Sequence, residues 1–375
     1  MQIHREKDFL SCFDDRTGRY FRTGIIRDGR DTGEDPFMSS FPELVDVGIM
    51  GHCRHGKLGL CRAAGVECYQ DGPHSDAPDM ELDDFLELAR QCSSRTYQFA
   101  LGGCGDPDQH ENFAEILQIC RHYRIVPNYT TSGLGMTKDI AELSGRHCGA
   151  VAVSWYRSTY TLRAVSLLLN AGVKTNIHFV LARDSVAEAI RLLTGKGPSE
   201  GFPVGINAVV FLLHKPVGLG SREKVISLED ESFKEFLKLV NSRTFRYRVG
   251  FDSCTVPALV NNPGIIDMKS LDTCEGARWS AYVTPDMKML PCSFDNQDRR
   301  WEVNLRDNTV EAAWNSSTFE DFRTCLRTSC PECDKRSLCM GGCPVRPEIV
   351  LCGRRLDFQR QIDNPGTTGK SSVGK

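Results

Sequence analysis

The sequence lacks any long apolar run. Its longest hydrophobic stretches, such as NAVVFLL at 207–213, fall far short of the ~20 residues a membrane-crossing helix needs. It also lacks an apolar N-terminal segment, because MQIHREKDFLSCFDDRTGRY carries charges where a signal peptide would be hydrophobic. Net charge is low, −3 at pH 7, which argues against general binding to polyanions. Low-complexity sequence is confined to the tail. These absences point to a cytoplasmic protein with neither a membrane nor a nucleic-acid partner. The 40% hydrophobic and 25% charged content is that of an ordinary globular chain, and 375 residues suggest two domains, or one with an appendage.

Cysteine, in contrast, is abundant. Seventeen are present, and in a cytosolic setting clustered cysteines more often bind metal than pair as disulfides. They are unevenly spread. Cys53, Cys61 and Cys68 share a glycine-rich loop, GHCRHGKLGLCRAAGVECYQDG. Cys274, Cys292, Cys330, Cys333, Cys339, Cys343 and Cys352 crowd the C-terminal part. The remaining ones (Cys12, Cys92, Cys104, Cys120, Cys148, Cys254 and Cys325) read as packed core thiols.

Between these groups, strand-like and helix-like segments alternate. Strands are expected at 41–51, 96–103, 125–133, 149–156, 175–182 and 205–213, each short, apolar and bounded by turn residues. Segments with helical spacing lie between them, including MELDDFLELARQC, HENFAEILQICRHY, STYTLRAVSLLLNAG and DSVAEAIRLL. Repeated βα units predict a parallel sheet, open or closed into a partial barrel, with functional groups at the C-terminal strand ends. The thiol loop directly follows the first strand. A further helix near ESFKEFLKLVNS and a strand FRYRVGFD lead into a cysteine-rich region without βα rhythm. The resulting division is 1–40, a surface-wrapping segment; 41–245, the α/β core; 246–355, a smaller domain; and 356–375, a polar tail expected to be disordered.

Three thiols leave a four-ligand site one short. Three readings stay open on spacing alone: a four-iron cluster with one iron free for a small ligand, zinc completed by His52 or His55, or three unrelated thiols. The C-terminal set is more specific. TSCPECDKRSLCMGGC gives the spacing CxxCxxxxxCxxxC, with Cys274 and Cys292 before it and Cys352 after it. Structural zinc is the plain alternative there.

This C-terminal pattern resembles the SPASM domain, which carries auxiliary iron–sulfur clusters at the end of certain radical SAM enzymes. The resemblance covers roughly residues 41–355. It extends to FALGGCGDPDQH, where Gly102 and Gly103 match the glycines that hold the amino group of SAM and Asp106 is the candidate acid. It continues through NYTTSG, which puts Thr130, Thr131 and Ser132 near the cofactor, and through Ser154, with Arg163 as a possible helper at the SAM carboxylate. There are departures. The loop reads CxxxxxxxCxxxxxxC rather than CxxxCxxC, and the aromatic residue usually found before the last cysteine is missing. Cys104 could replace one loop thiol. Met287 stands where the family usually has glycine.

The resemblance implies a partial (β/α)6 TIM-like barrel followed by a small cysteine-rich SPASM domain. It implies a [4Fe-4S] cluster on Cys53, Cys61 and Cys68 that binds S-adenosyl-L-methionine and cleaves it reductively to a 5′-deoxyadenosyl radical, which takes hydrogen from a substrate. It assigns Cys330, Cys333, Cys339 and Cys352 to one auxiliary cluster and Cys274, Cys292 and Cys343 to another. The fourth position of the latter is left to Cys254 or to a substrate. The implied substrate is a peptide or protein side chain, crosslinked or oxidised. The implied electron donor is a flavodoxin or ferredoxin. The 40 residues before the first strand are short for a leader-binding domain, which weakens the peptide reading or calls for a separate recognition partner. Alternatives are a radical dehydrogenase for small alcohols or sugars and a non-catalytic, metal-stabilised binding or electron-transfer protein. The basic stretch HKPVGLGSREK reads as a solvated loop.

Overall fold

The computed structural model describes residues 1–195, 200–262 and 271–353. The tail from 356 lies outside the described residues.

The chain opens with a small antiparallel sheet of β1 (Gln2–Arg5), β2 (Leu10–Asp14) and β3 (Arg19–Arg22), then a ribbon of β4 (Ile26–Arg27) and β5 (Arg30–Asp31). This segment is fastened to the core. Phe13 packs on Tyr97 and Val126, and the buried Glu43 accepts hydrogen bonds from the hydroxyls of Ser11 and Tyr20.

The six expected strands all form: β6 (Leu44–Met50), β7 (Gln98–Gly103), β8 (Val126–Thr131), β9 (Val151–Ser154), β10 (Thr175–Leu181) and β11 (Ala208–Leu213). They pair in parallel, in chain order. The loop after β6 forms two one-turn helices, α1 (Arg54–Lys57) and α2 (Leu60–Ala63). Longer helices follow: α3 (Leu82–Cys92), α4 (Phe113–His122), α5 (Lys138–His147), α6 (Thr159–Asn170), α7 (Val186–Thr194) and α8 (Glu231–Ser242). Each turns an apolar stripe to the sheet. Phe113, Ile116, Leu117 and Cys120 are the buried face of α4. Ser158 caps α6 by accepting a hydrogen bond from the Thr161 amide.

Helix α5 is not among the helices expected from the sequence, although Thr137 caps it by accepting from the Ile140 amide. Its buried side chains are only Ala141 and Ser144, and the Ser144 hydroxyl bonds Tyr129 at 2.8 Å. Partly buried Ile140 and Leu143 pack on the core beside them.

The sheet continues past the six strands on both sides. β12 (Arg248–Phe251), the strand expected from FRYRVGFD, pairs in parallel with β11. At the opposite edge β13 (Ser280–Val283) pairs in parallel with β6 and begins a meander with β14 (Lys288–Leu290) and β15 (Val303–Asn304). The result is one ten-stranded sheet to which residues from 246 onward contribute both edges. Four further helices follow, α9 (Val256–Asn261), α10 (Val310–Trp314), α11 (Ser317–Thr328) and α12 (Arg336–Cys339), and Val256 and Val260 of α9 pack with Cys339 of α12. Buried Arg323 of α11 donates to the carbonyls of Ala277 and Trp314, both at 2.7 Å, so it ties α11 to the start of the meander.

Met287 sits in the tight turn between β13 and β14 at φ +62°, a left-handed conformation that glycine adopts without steric cost. Its side chain is buried in the core, so packing offsets the backbone strain.

Candidate active site and cluster-binding thiols

A cavity of about 410 Å³ lies at the C-terminal ends of the parallel strands. Asp46 of β6 and Leu212 of β11 both line it. In a flat sheet those strands would stand roughly 24 Å apart, five spacings of about 4.8 Å. The sheet therefore curls around the cavity, in agreement with a partial barrel.

The three loop thiols meet in this cavity. Cys53 is the N-cap of α1 and accepts from the Gly56 amide at 3.1 Å. Cys61 lies in α2, and the Cys68 thiol accepts from the Gly72 amide at 3.4 Å. Burial pushes the Cys53 thiol up to about 12, with Asp106, Cys61 and Cys68 acting in the same direction, and burial pushes Cys61 up to about 11. A nucleophilic or redox-exchanging cysteine needs the opposite shift. Metal coordination removes the proton from such a thiol outright, so the donor set suits a metal centre.

The two candidate histidines part company. His52 is half exposed and faces Asp79, with Nδ1 3.0 Å from Oδ1. His55 is buried in the cavity wall, its Nδ1 3.0 Å from Cys61 Sγ and its Nε2 2.6 Å from the Tyr160 hydroxyl. Cys104 also lines the cavity, with its thiol directed at the Gln70 carbonyl at 3.7 Å.

Gly102, Gly103, Asp106, Thr130, Thr131, Ser132 and Ser154 all border the same space. A Cβ on Gly102 would meet nothing within 4 Å, so that backbone is open to a ligand. Asp106 accepts from the Ser132 amide at 2.6 Å and from its hydroxyl at 2.5 Å. Arg163 is not part of the site: it is exposed on α6 and does not border the cavity.

Asp46, His178, Lys215 and Tyr282 also line the cavity, and His178 Nδ1 lies 3.4 Å from the Thr130 hydroxyl. Burial pushes Asp46 up to about 7 and lowers His178 to about 4. The expectation of a solvated HKPVGLGSREK loop fails at its start. His214 and Lys215 are buried, and Lys215 Nζ is 2.5 Å from Asp252 Oδ2 and 4.4 Å from the centroid of the Phe294 ring. The pairing with Asp252 offsets the cost of burying the ammonium. Its place directly after a barrel strand was the available sequence signal.

A second cavity of about 170 Å³ is lined by Cys254, Cys274, Cys292 and Cys343. Cys254, read alone as a packed thiol, thus joins three of the clustered ones. Asp46, Ser293 and Phe294 border both cavities. Burial pushes the Cys274 thiol up to about 12 and raises Cys292, while Cys343 and burial together raise Cys254. The other four thiols form a separate group around α12. Burial raises Cys339, and Cys333, Cys352 and Cys330 add to it. Cys92 and Cys120 are core residues, as expected. Among the described residues, no three His, Cys, Asp or Glu side chains close on a single point as tightly as one bound ion requires.

Residues 274–340 match the SPASM family, described as an iron–sulfur cluster-binding domain. Among solved structures the chain is similar to Streptococcus suis SuiB bound to S-adenosylmethionine, with 15% identity and a TM-score of 0.61 over 84% of this chain and 77% of that one. It is similar to SuiB bound to the precursor peptide SuiA, at 14% and 0.64 over 84% and 76%. It also resembles anSMEcpe with bound AdoMet and Cp18Cys peptide, at 15% and 0.58 over 86% and 98%. No curated protein matches the sequence. Residues 274–340 are thus a SPASM cluster-binding segment, and over 84–86% of its length the chain shares the fold of SuiB and anSMEcpe. No helix among the described residues is long and apolar enough to cross a membrane.

Proposed function

We propose that this protein is a radical SAM oxidoreductase or maturase acting on a peptide or protein side chain. The observation that carries the reading is the meeting of Cys53, Cys61 and Cys68 with Gly102, Gly103, Ser132 and Ser154 in one cavity at the strand ends. A four-iron cluster with bound SAM would supply reductive cleavage of the sulfonium and a 5′-deoxyadenosyl radical that abstracts hydrogen from the substrate.

The chain's own residues have distinct tasks. The three loop thiols would hold the cluster and leave a coordination position free for SAM. The bare backbone at Gly102 would let that cofactor lie against β7, while Gly103 lets the β7 end pack closely on Met50. Asp106 fixes Ser132, and the hydroxyls of Thr130, Ser132 and Ser154 offer hydrogen bonds to the bound methionine. The apolar strands beneath exclude water from a reactive intermediate. Asp46 and Lys215 also line the cavity and would orient the substrate, while His178 stands beside Thr130. Eight thiols are assigned to two auxiliary clusters: Cys254, Cys274, Cys292 and Cys343 to one, and Cys330, Cys333, Cys339 and Cys352 to the other. With four thiols available at each, neither needs a substrate ligand, which favours passage of an electron over substrate binding. A flavodoxin- or ferredoxin-like protein would deliver the reducing electron.

A peptide or protein substrate is supported by SuiB, solved with its precursor peptide, and by anSMEcpe, solved with a bound peptide. The test is reconstitution without oxygen, then SAM and a strong reductant, with 5′-deoxyadenosine as the readout. Formation that vanishes in Cys53→Ala, Cys61→Ala and Cys68→Ala is the expected result. Iron confined to the C-terminal thiols, with no deoxyadenosine, would overturn it.

A further inference from the structure

The spacing between Cys53 and Cys61 is long because the chain makes two helical turns there, joined by Gly59 at φ +68°. The first turn buries an imidazole beside a cluster-binding thiol. His55 is 2% exposed. Its Nδ1 lies 3.0 Å from Cys61 Sγ, its Nε2 lies 2.6 Å from the Tyr160 hydroxyl, and its ring packs on Tyr156 with centroids 4.4 Å apart.

We infer that His55 is a positioning residue that donates an Nδ1–H hydrogen bond to the Cys61 thiolate and thereby raises the reduction potential of the cluster on Cys53, Cys61 and Cys68. The inference rests on the function proposed above. The proton count fixes the tautomer. A metal-bound thiolate has no hydrogen to give, so at this contact the proton must be on Nδ1. Nε2 of the neutral ring is then an acceptor, and the Tyr160 hydroxyl donates to it. The contacts therefore form a directed chain, Tyr160 O–H to His55 to Cys61 Sγ. A donor on a ligating sulfur draws off negative charge. That favours the reduced, more negative cluster.

The experiment uses the full-length chain reconstituted without oxygen. Iron and sulfide are counted, and the EPR signal that responds to SAM is followed through a redox titration. His55→Leu removes the donor. His55→Asn restores an amide N–H near the Nδ1 position. Tyr160→Phe removes the group that fixes the tautomer. Full iron in all three is expected. At a fixed potential the His55→Leu cluster should be about tenfold harder to reduce, a shift of about 59 mV for a one-electron couple. His55→Asn should recover part of that shift, and Tyr160→Phe should show a smaller one. An unchanged potential in His55→Leu at full iron would reduce His55 to packing. Loss of the same iron that Cys61→Ala loses would make it a ligand instead. A wild-type protein with no SAM-responsive iron signal would remove the functional reading itself.

Discussion

Asp106 and Ser132 join the ends of two neighbouring strands. The carboxylate accepts from both the amide and the hydroxyl of Ser132, at 2.6 and 2.5 Å. The sequence put Asp106 forward as a direct ligand of SAM. Two of its lone-pair sites are instead given to holding the β8 end in place, although it still borders the cavity. Asp106→Ala leaves two donors without a partner, at a cost of about 2–4 kcal/mol. It should also weaken SAM binding at least tenfold (~1.4 kcal/mol). Thermal denaturation and equilibrium dialysis of SAM on reconstituted protein check the two effects separately.

Neighbouring glycines should fail in different ways. A methyl group on Gly102 meets open space, whereas on Gly103 it would lie 2.4 Å from the Met50 carbonyl at a residue with φ +111°. Gly102→Ala should fold with an unchanged melting temperature and lose SAM binding. Gly103→Ala should lose soluble protein. Expression yield and circular dichroism compare them directly.

Iron counting tests the thiol groups. Three four-iron centres amount to about 12 irons per chain. Cys254→Ala should lower the count or convert one auxiliary cluster to a three-iron form, visible by EPR, while Cys92→Ala leaves it unchanged. An unaltered spectrum in Cys254→Ala would return that residue to the packed-thiol reading.

His178 gives a pH signature. Burial lowers it to about 4, against 6.5 for the free side chain. Between these values the unfolded chain binds a proton that the folded one does not. Stability then falls as pH drops from 6.5 toward 4, by on the order of 3 kcal/mol for this group at the low end. His178→Gln should flatten the dependence in that window. Urea denaturation at pH 7, 5.5 and 4.5 measures it, and a parallel curve for the variant would refute the assignment.

Arg323 is buried with two carbonyl partners and lies over the Trp314 ring at 4.8 Å. Arg323→Ala should cost about 3–5 kcal/mol, through two unpaired carbonyls and lost packing. Arg163→Ala, by contrast, should leave both stability and SAM binding unaltered, because Arg163 is exposed on α6 away from the cavity.

Much of this architecture is written in local sequence. Six apolar runs bounded by turn residues became β6 to β11, because a strand buried on both faces reads as a short hydrophobic block whatever surrounds it. The C-terminal thiols announced a cluster domain because metal ligation constrains spacing along the chain. What local patterns leave open is which distant residues meet. Cys254 lies 20 residues before the matched segment, and only the placement of β12 at the sheet edge brings it to Cys274, Cys292 and Cys343. Lys215 looked like a loop cation until folding set it beside Asp252. Arg163 has the residue type for a carboxylate site but sits on the solvent side of α6. His55 was one of two equal histidines until the first turn of the loop faced it to Cys61 and His52 to Asp79. The sequence by itself determined the elements and the chemistry of the donors, since both depend on residue type and near-neighbour spacing. The tertiary structure alone decided the partners of each donor, because pairing across 20 to 100 residues depends on how the sheet curls and where its edges end.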